Sequence, residues 1–183
     1  MTAMSYEEFG SAFVHEAVTP ARISGVIREL AGDMVKVGPM GAGPGGVATA
    51  TAVGTVAEPV VEQTGDDPLS YIVRLPVDLK LDVNVAGTHH HYTAEAEVQV
   101  GIAVRLEEPL SICIEPTPPS RRNVTVNVHA KGIQAKVLGR IGDIDNELRR
   151  EIAAYVRERI ESDASQFSNV DLRPIMAEAW PTG

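Results

Sequence analysis

Residues 69–86 read LSYIVRLPVDLKLDVNVA and residues 91–106 read HYTAEAEVQVGIAVRL. In the first run, Tyr71, Val73, Leu75, Val77, Leu79, Leu81, Val83 and Val85 fall on one side of a two-residue period. Ser70, Arg74, Asp78, Lys80, Asp82 and Asn84 fall on the other. In the second, Tyr92, Ala94, Ala96, Val98, Val100, Ile102, Val104 and Leu106 alternate with Thr93, Glu95, Glu97, Gln99 and Arg105. A period of two sustained over this length dictates a β-strand with one dry face and one wet face. Ordinary strands run about 5–6 residues, whereas each of these could span roughly 50 Å at about 3.3 Å per residue. Right-handed twist curls strands of that length into a trough. The fold class predicted is therefore α+β, built on a long, highly curved antiparallel sheet, and the functional question is what fills the trough.

Working outward toward the N-terminus, Ser5 followed by Glu8 forms a capping box that opens a helix to about Val18, with Phe9, Ala12, Phe13 and Ala17 as its apolar stripe. Thr19-Pro20 restarts a second helix whose face is Ile23, Val26, Ile27 and Leu30. Residues 5–37 are thus read as N-terminal helices. Residues 38–46 carry five Gly and two Pro and read as a loop. They lack the preceding strand and the Lys-Ser/Thr of a phosphate-binding loop. An antiparallel meander is expected over residues 47–133, including a small-residue strand Val47–Glu58, a short strand Leu110–Glu115 and a strand Val124–Ala130.

From about Gln134 the period changes. Val137, Ile141, Ile144, Leu148, Ile152, Tyr155, Val156 and Ile160 fall at helical intervals, predicting a long amphipathic helix over residues 134–163. At about 1.5 Å per residue it would nearly match the long strands, so that helix and sheet can bury each other lengthwise. Residues 170–180 read as a docked short helix with Asp171 as its cap. The whole chain, 1–183, is read as one domain.

This order of N-terminal helices, antiparallel meander and long helix resembles one module of the TULIP superfamily, the tubular lipid-binding proteins related to bactericidal/permeability-increasing and synaptotagmin-like lipid-binding domains. The paired strands Leu69–Ala86 and His91–Leu106, the helix Val137–Ile160 and the trailing Val170-Asp171-Leu172 carry the resemblance. It implies a curved sheet wrapped around a long C-terminal helix, with a lipid-accepting groove between them.

Composition narrows the partners. Three Phe, four Tyr and one Trp leave little for base stacking, and a net charge of −9 repels phosphate backbones and anionic headgroups on average. No nucleic-acid partner is expected. A single cysteine, Cys113, excludes a disulfide framework and a Cys-based zinc site. Residues 1–10 lack a basic, then apolar leader, and no run approaches the ~20 apolar residues of a membrane span, so a cytoplasmic, bacterial-like protein is expected.

Three polar groupings could carry chemistry. His89 and His91 could offer two imidazoles to a metal, but His15 and His129 lie far off in sequence, and a solvated hairpin tip is the simpler reading. Glu95 and Glu97 could pair with Asp78 or Asp82 for acid–base work, although a wet sheet face is ordinarily filled with such residues. Arg140, Arg149, Arg150, Arg157 and Arg159, interleaved with Glu147, Glu151, Glu158 and Glu161, form a salt-bridged helix surface. No catalytic residue, metal or cofactor is assigned.

The apolar faces give the sharper reading. Val73, Leu75, Val77, Leu79, Val98, Val100, Ile102, Ile144, Leu148 and Ile152 are the candidate lining of a site for a lipid, acyl chain or other apolar small molecule. The small Ala94 and Ala96 either leave room for it or let the helix pack close. Noncatalytic binding is the leading expectation. The alternatives are a small-metabolite tailoring enzyme, cyclase- or hydrolase-like, using the same cavity, and an assembly protein in which Val47–Glu58, as an edge strand, pairs with a second copy as a homodimer.

Overall fold

The computed structural model describes residues 3–27, 34–43, 46–66, 68–130, 144–162 and 169–179. Its element order is α1 (Tyr6–Ala17), α2 (Pro20–Ile27), β1 (Met34–Ala42), β2 (Ala48–Val56), β3 (Val60–Asp66), β4 (Leu69–Val85), β5 (Thr88–Glu107), β6 (Ser111–Thr117), a 3₁₀ turn (Arg121–Asn123), β7 (Val124–His129), α3 (Ile144–Ser162), β8 (Val170–Asp171) and α4 (Arg173–Ala179). All eight strands belong to one antiparallel sheet.

The β4–β5 hairpin is its spine. Pairing runs unbroken from Ser70↔Ala103 to Val85↔Thr88, and the two-residue turn Ala86-Gly87 has φ of 49° and 88°. Both values are positive, as a hairpin turn that matches the strand twist requires. Alternation then sends Tyr71, Val73, Leu75, Val77, Leu79, Leu81 and Val83 inward with Tyr92, Ala94, Ala96, Val98, Val100, Ile102 and Val104, every one of them buried.

The neighbours of the spine are long strands interrupted near its middle. β2 pairs with β4 from Val85 to Val77, β3 continues along the same edge from Arg74 to Leu69, and the break between them is residues 57–59. Its cause lies in β4. A residue in an antiparallel strand points its N–H and C=O to the same side, and the carbonyl of Pro76 accepts from the Ala57 amide. The side on which Pro76 has no donor is therefore the β2–β3 side, and the strand bulges there. Across the hairpin, β7 pairs with residues 93–98 and β6 with residues 101–107, separated by the Pro118–Asn123 excursion. The sheet thus has a hairpin half (β1, β2, β4, β5, β7) and a far half (β3, β4, β5, β6, β8).

Curvature is visible in what α3 touches. It packs against β1 and β7, the two outermost strands of the hairpin half, which a flat sheet would hold far apart. The sheet is therefore a strongly curled half-barrel. Ile144, Leu148, Ile152 and Ala153 of α3 are fully buried within it. The far half is covered differently, by α1, α2, α4 and the last turns of α3.

Several expectations change. Of the helix expected over residues 134–163, the described part is α3, 19 residues and roughly 28 Å at about 1.5 Å per residue, and β8 and α4 follow it. Val137, Arg140 and Ile141, with Leu30 and Trp180, lie outside the described residues. Residues 38–42 are not loop but the second half of β1. Gly38, at φ 99°, and Pro39 sit in a bulge between Val37 and Met40, and pairing with β2 resumes at once. Residues 34–37 are strand rather than helix. β2 is not an edge, because β1 and β4 flank it, which removes the expected pairing of Val47–Glu58 with a second copy.

The N-terminal caps form as read. Glu8 N–H donates to Ser5 Oγ at 3.2 Å and Ser5 N–H to Glu8 Oε2 at 2.8 Å, and the Ser5 backbone N–H, with the Ser5 side chain second, holds the Glu8 carboxyl below its ordinary value. Arg22 N–H donates to Thr19 Oγ1 at 3.3 Å. Tyr71 then pins the α1–α2 corner to β4: its hydroxyl donates to the Val18 carbonyl at 2.5 Å in a buried setting. Burial, with a smaller contribution from the Asp66 carboxylate, raises the Tyr71 phenol above its usual range.

Two outcomes follow. A methyl group on Gly54 would stand 2.1 Å from the Asp78 carbonyl oxygen, whereas one on Gly41 meets nothing within 4 Å. Gly54→Ala should therefore cost about 1–3 kcal/mol in chemical denaturation, with Gly41→Ala near neutral as the control. Tyr71→Phe strands the buried Val18 carbonyl and should cost about 1–3 kcal/mol. Because the folded phenol titrates higher than the unfolded one, wild-type stability is intact below about pH 10 and falls above it; Tyr71→Phe should flatten that alkaline limb.

Candidate ligand-binding site

The concave face is filled in one half and not in the other. In the hairpin half, Leu79, Leu81, Met40 and Tyr92 from the sheet meet Ile144, Leu148 and Ile152 from α3, all between 0% and 4% exposed. In the far half the sheet offers Val73, Leu75, Val100 and Ile102, and the last turns of α3 offer Tyr155, Val156 and Ile160. These side chains leave space between them. The space is a partly open apolar chamber of about 80 Å³, walled also by Val56, Ile27, Ile114 and Pro116, with Arg159 as its one charged lining residue among the described residues.

A second space adjoins the chamber. A groove of about 520 Å³ runs between α1, α2 and the β6–β8–α4 edge, lined by Phe13, Ala17, Val18, Ile23, Ile112, Val170, Leu172 and Ile175. Its polar lining is Glu16, Arg22 and Asn169. Ile27, Ile102 and Ile114 belong to both spaces and form the partition between them. Phe13, Val170 and Ile175 are exposed at 43%, 43% and 56%, so the groove opens to solvent between apolar lips.

The ten sequence-predicted lining residues divide along the same line. Val73, Leu75, Val100 and Ile102 line the chamber. Val77, Leu79, Val98, Ile144, Leu148 and Ile152 are buried against one another in the hairpin half, and Ala94 and Ala96 lie in that filled half at 2% and 6% exposure. Sequence reasoning missed the far wall. Ile27 and Ile114 were readable as apolar positions, but that α2 and β6 would face the end of α3 is a product of long-range packing.

The polar groupings lie on the other face. Asp78 pairs with Glu95, and Asp82 with His91, on the convex surface. His89 Nδ1 lies 2.8 Å from Asp82 Oδ1, and His91 Nδ1 lies 3.9 Å from the same oxygen. The β5–β7 pairing also brings His129 into the basin that holds His91 and Asp82, although the two histidines are far apart in sequence. Among the described residues no group of three or more His, Cys, Asp or Glu is arranged to hold a metal ion. On the surface of α3, Arg150 is paired with Glu147 and Glu151, while Arg157 donates to the Pro119 carbonyl at 3.2 Å. Cys113 is a half-buried free thiol on β6.

No helix among the described residues is long and apolar enough to cross a membrane. The fold and site together define an α+β half-barrel with an incompletely filled concave face. No protein-family model matches the chain, and no curated relative matches it.

The contrast between the halves can be read by truncation. Leu148→Ala, in the filled half, should cost about 2–5 kcal/mol, whereas Val156→Ala, which borders existing space, should cost about 1 kcal/mol or less. Urea denaturation of the two variants checks the difference.

Proposed function

We propose that the chain is a noncatalytic binding protein for an aliphatic small molecule, a lipid or acyl chain, held beneath the far half of the sheet. The observation that carries this reading is the chamber itself. Its lining is aliphatic save for Tyr155 and Arg159, and it lies between sheet and helix where the hairpin half has only packed side chains. Apolar space adjoining an open groove suits a flexible hydrocarbon, whose burial contributes about 0.8 kcal/mol per CH₂.

The resemblance to tubular lipid-binding modules, with a curved sheet around a helix, agrees with this reading. The described lining of the chamber is Val, Leu, Ile and Pro with Tyr155 and Arg159, and this aliphatic character supports binding over the tailoring-enzyme alternative.

Native mass spectrometry with organic extraction tests the reading on freshly purified protein. An aliphatic mass should co-purify with the wild type. Val100→Trp fills the chamber and should remove that mass while the fold, followed by circular dichroism, is kept. A folded Val100→Trp protein that retains the mass would refute this site.

A further inference from the structure

The two spaces differ in polarity, and the difference orients a ligand. The chamber is lined by aliphatic side chains apart from Tyr155 and Arg159, while Glu16 and Arg22 of the groove sit where α1 ends and α2 begins. Arg22 stands there. Its Nη1 donates to the Ala17 carbonyl at 2.9 Å, which ties the guanidinium to the C-terminal end of α1 beside the groove. A guanidinium carries five donors in a planar fork, and this bond uses one. Asn169 adds an amide on the same lining.

We propose that groove and chamber together hold a single-chain aliphatic carboxylate, with its tail passing the Ile27–Ile102–Ile114 partition into the chamber and its head at Arg22. This rests on the apolar-binding reading above and adds the ligand's class and direction. One chain follows from size. About 80 Å³ exceeds the space one water needs but is far below the roughly 300–1,000 Å³ of a whole ligand pocket, so the chamber takes the end of one chain and the groove takes the rest. A carboxylate follows from charge. It matches the planar fork of Arg22 in bidentate geometry. Glu16 on the same lining opposes a doubly charged phosphate more than a singly charged carboxylate.

The test is calorimetric titration with hexadecanoic acid and hexadecan-1-ol, which share a tail and differ in the head. The wild type should bind the acid at least tenfold more tightly than the alcohol. Arg22→Gln should abolish that preference and leave alcohol binding unchanged, and Arg22→Lys should restore part of it. Val100→Trp should weaken both ligands alike. Equal binding of acid and alcohol by the wild type, with Val100→Trp weakening both, would overturn the head-group assignment and leave the apolar site standing. Failure of the wild type to bind either would overturn both. Arg22→Gln losing alcohol affinity as strongly as acid affinity would show Arg22 acting on the groove's shape, and would also overturn the assignment.

Discussion

The unbroken register of β4 against β5 is the constraint on which the rest of the molecule depends. Because side chains alternate strictly, a slip of one residue would turn Val73, Leu75, Val77, Leu79, Leu81 and Val83 to solvent and bring Arg74, Asp78, Lys80 and Asp82 inside. Burying those charges is far more costly than any gain elsewhere in the sheet could offset. The tight Ala86-Gly87 turn fixes the register at one end, and the alternation fixes it along the whole length. Every other strand reads its position from this pair, and so does the single apolar surface that α3, α2 and the C-terminal segment cover.

Onto that continuous surface the chain imposes a division. Pro76 withholds a donor from the β2–β3 side, and Pro118 and Pro119 lie in the excursion between β6 and β7. The interruptions fall near the middle of the hairpin, so the strands flanking the two halves are separate segments. The hairpin half takes the buried stripe of α3, beneath which the inner face of the sheet carries small residues such as Ala50, Ala52, Ala94 and Ala96. The far half is covered by shorter elements meeting at angles, and its inner residues are mostly Val and Ile. A chain with three Phe and one Trp has few side chains large enough to fill the space that remains. The chamber lies where the covering elements, rather than the hydrophobic pattern of the sheet, change from one half to the other.

This explains what could be read from residues alone. The two long strands, the capping box of Ser5 and Glu8, the Thr19 cap, and the dry and wet faces all arise from interactions within a few residues, or from a periodicity that one-dimensional sequence carries in full. β1 was hidden because Gly38-Pro39 resembles a loop, when it is a bulge that the partner strand β2 tolerates. The interior position of β2 depends on β1 forming at all. The split of the ten candidate lining residues into filled and unfilled groups was beyond periodicity, since Val77 and Val73 have the same pattern and differ in what lies across the trough. The approach of His129 to His91 likewise depends on β7 pairing with β5 after a loop of prolines.

The central claim is that one continuous apolar face is packed solid in one half and left open in the other. Xenon enters dry apolar cavities and leaves packed cores untouched, so a methyl-resolved NMR titration with dissolved xenon tests the claim directly. Shifts confined to Val73, Leu75, Val100, Ile102 and Val156, with Leu79, Leu81, Leu148 and Ile152 unmoved, are the predicted result. Absence of shifts at the first group, or shifts of equal size at the second, would contradict it.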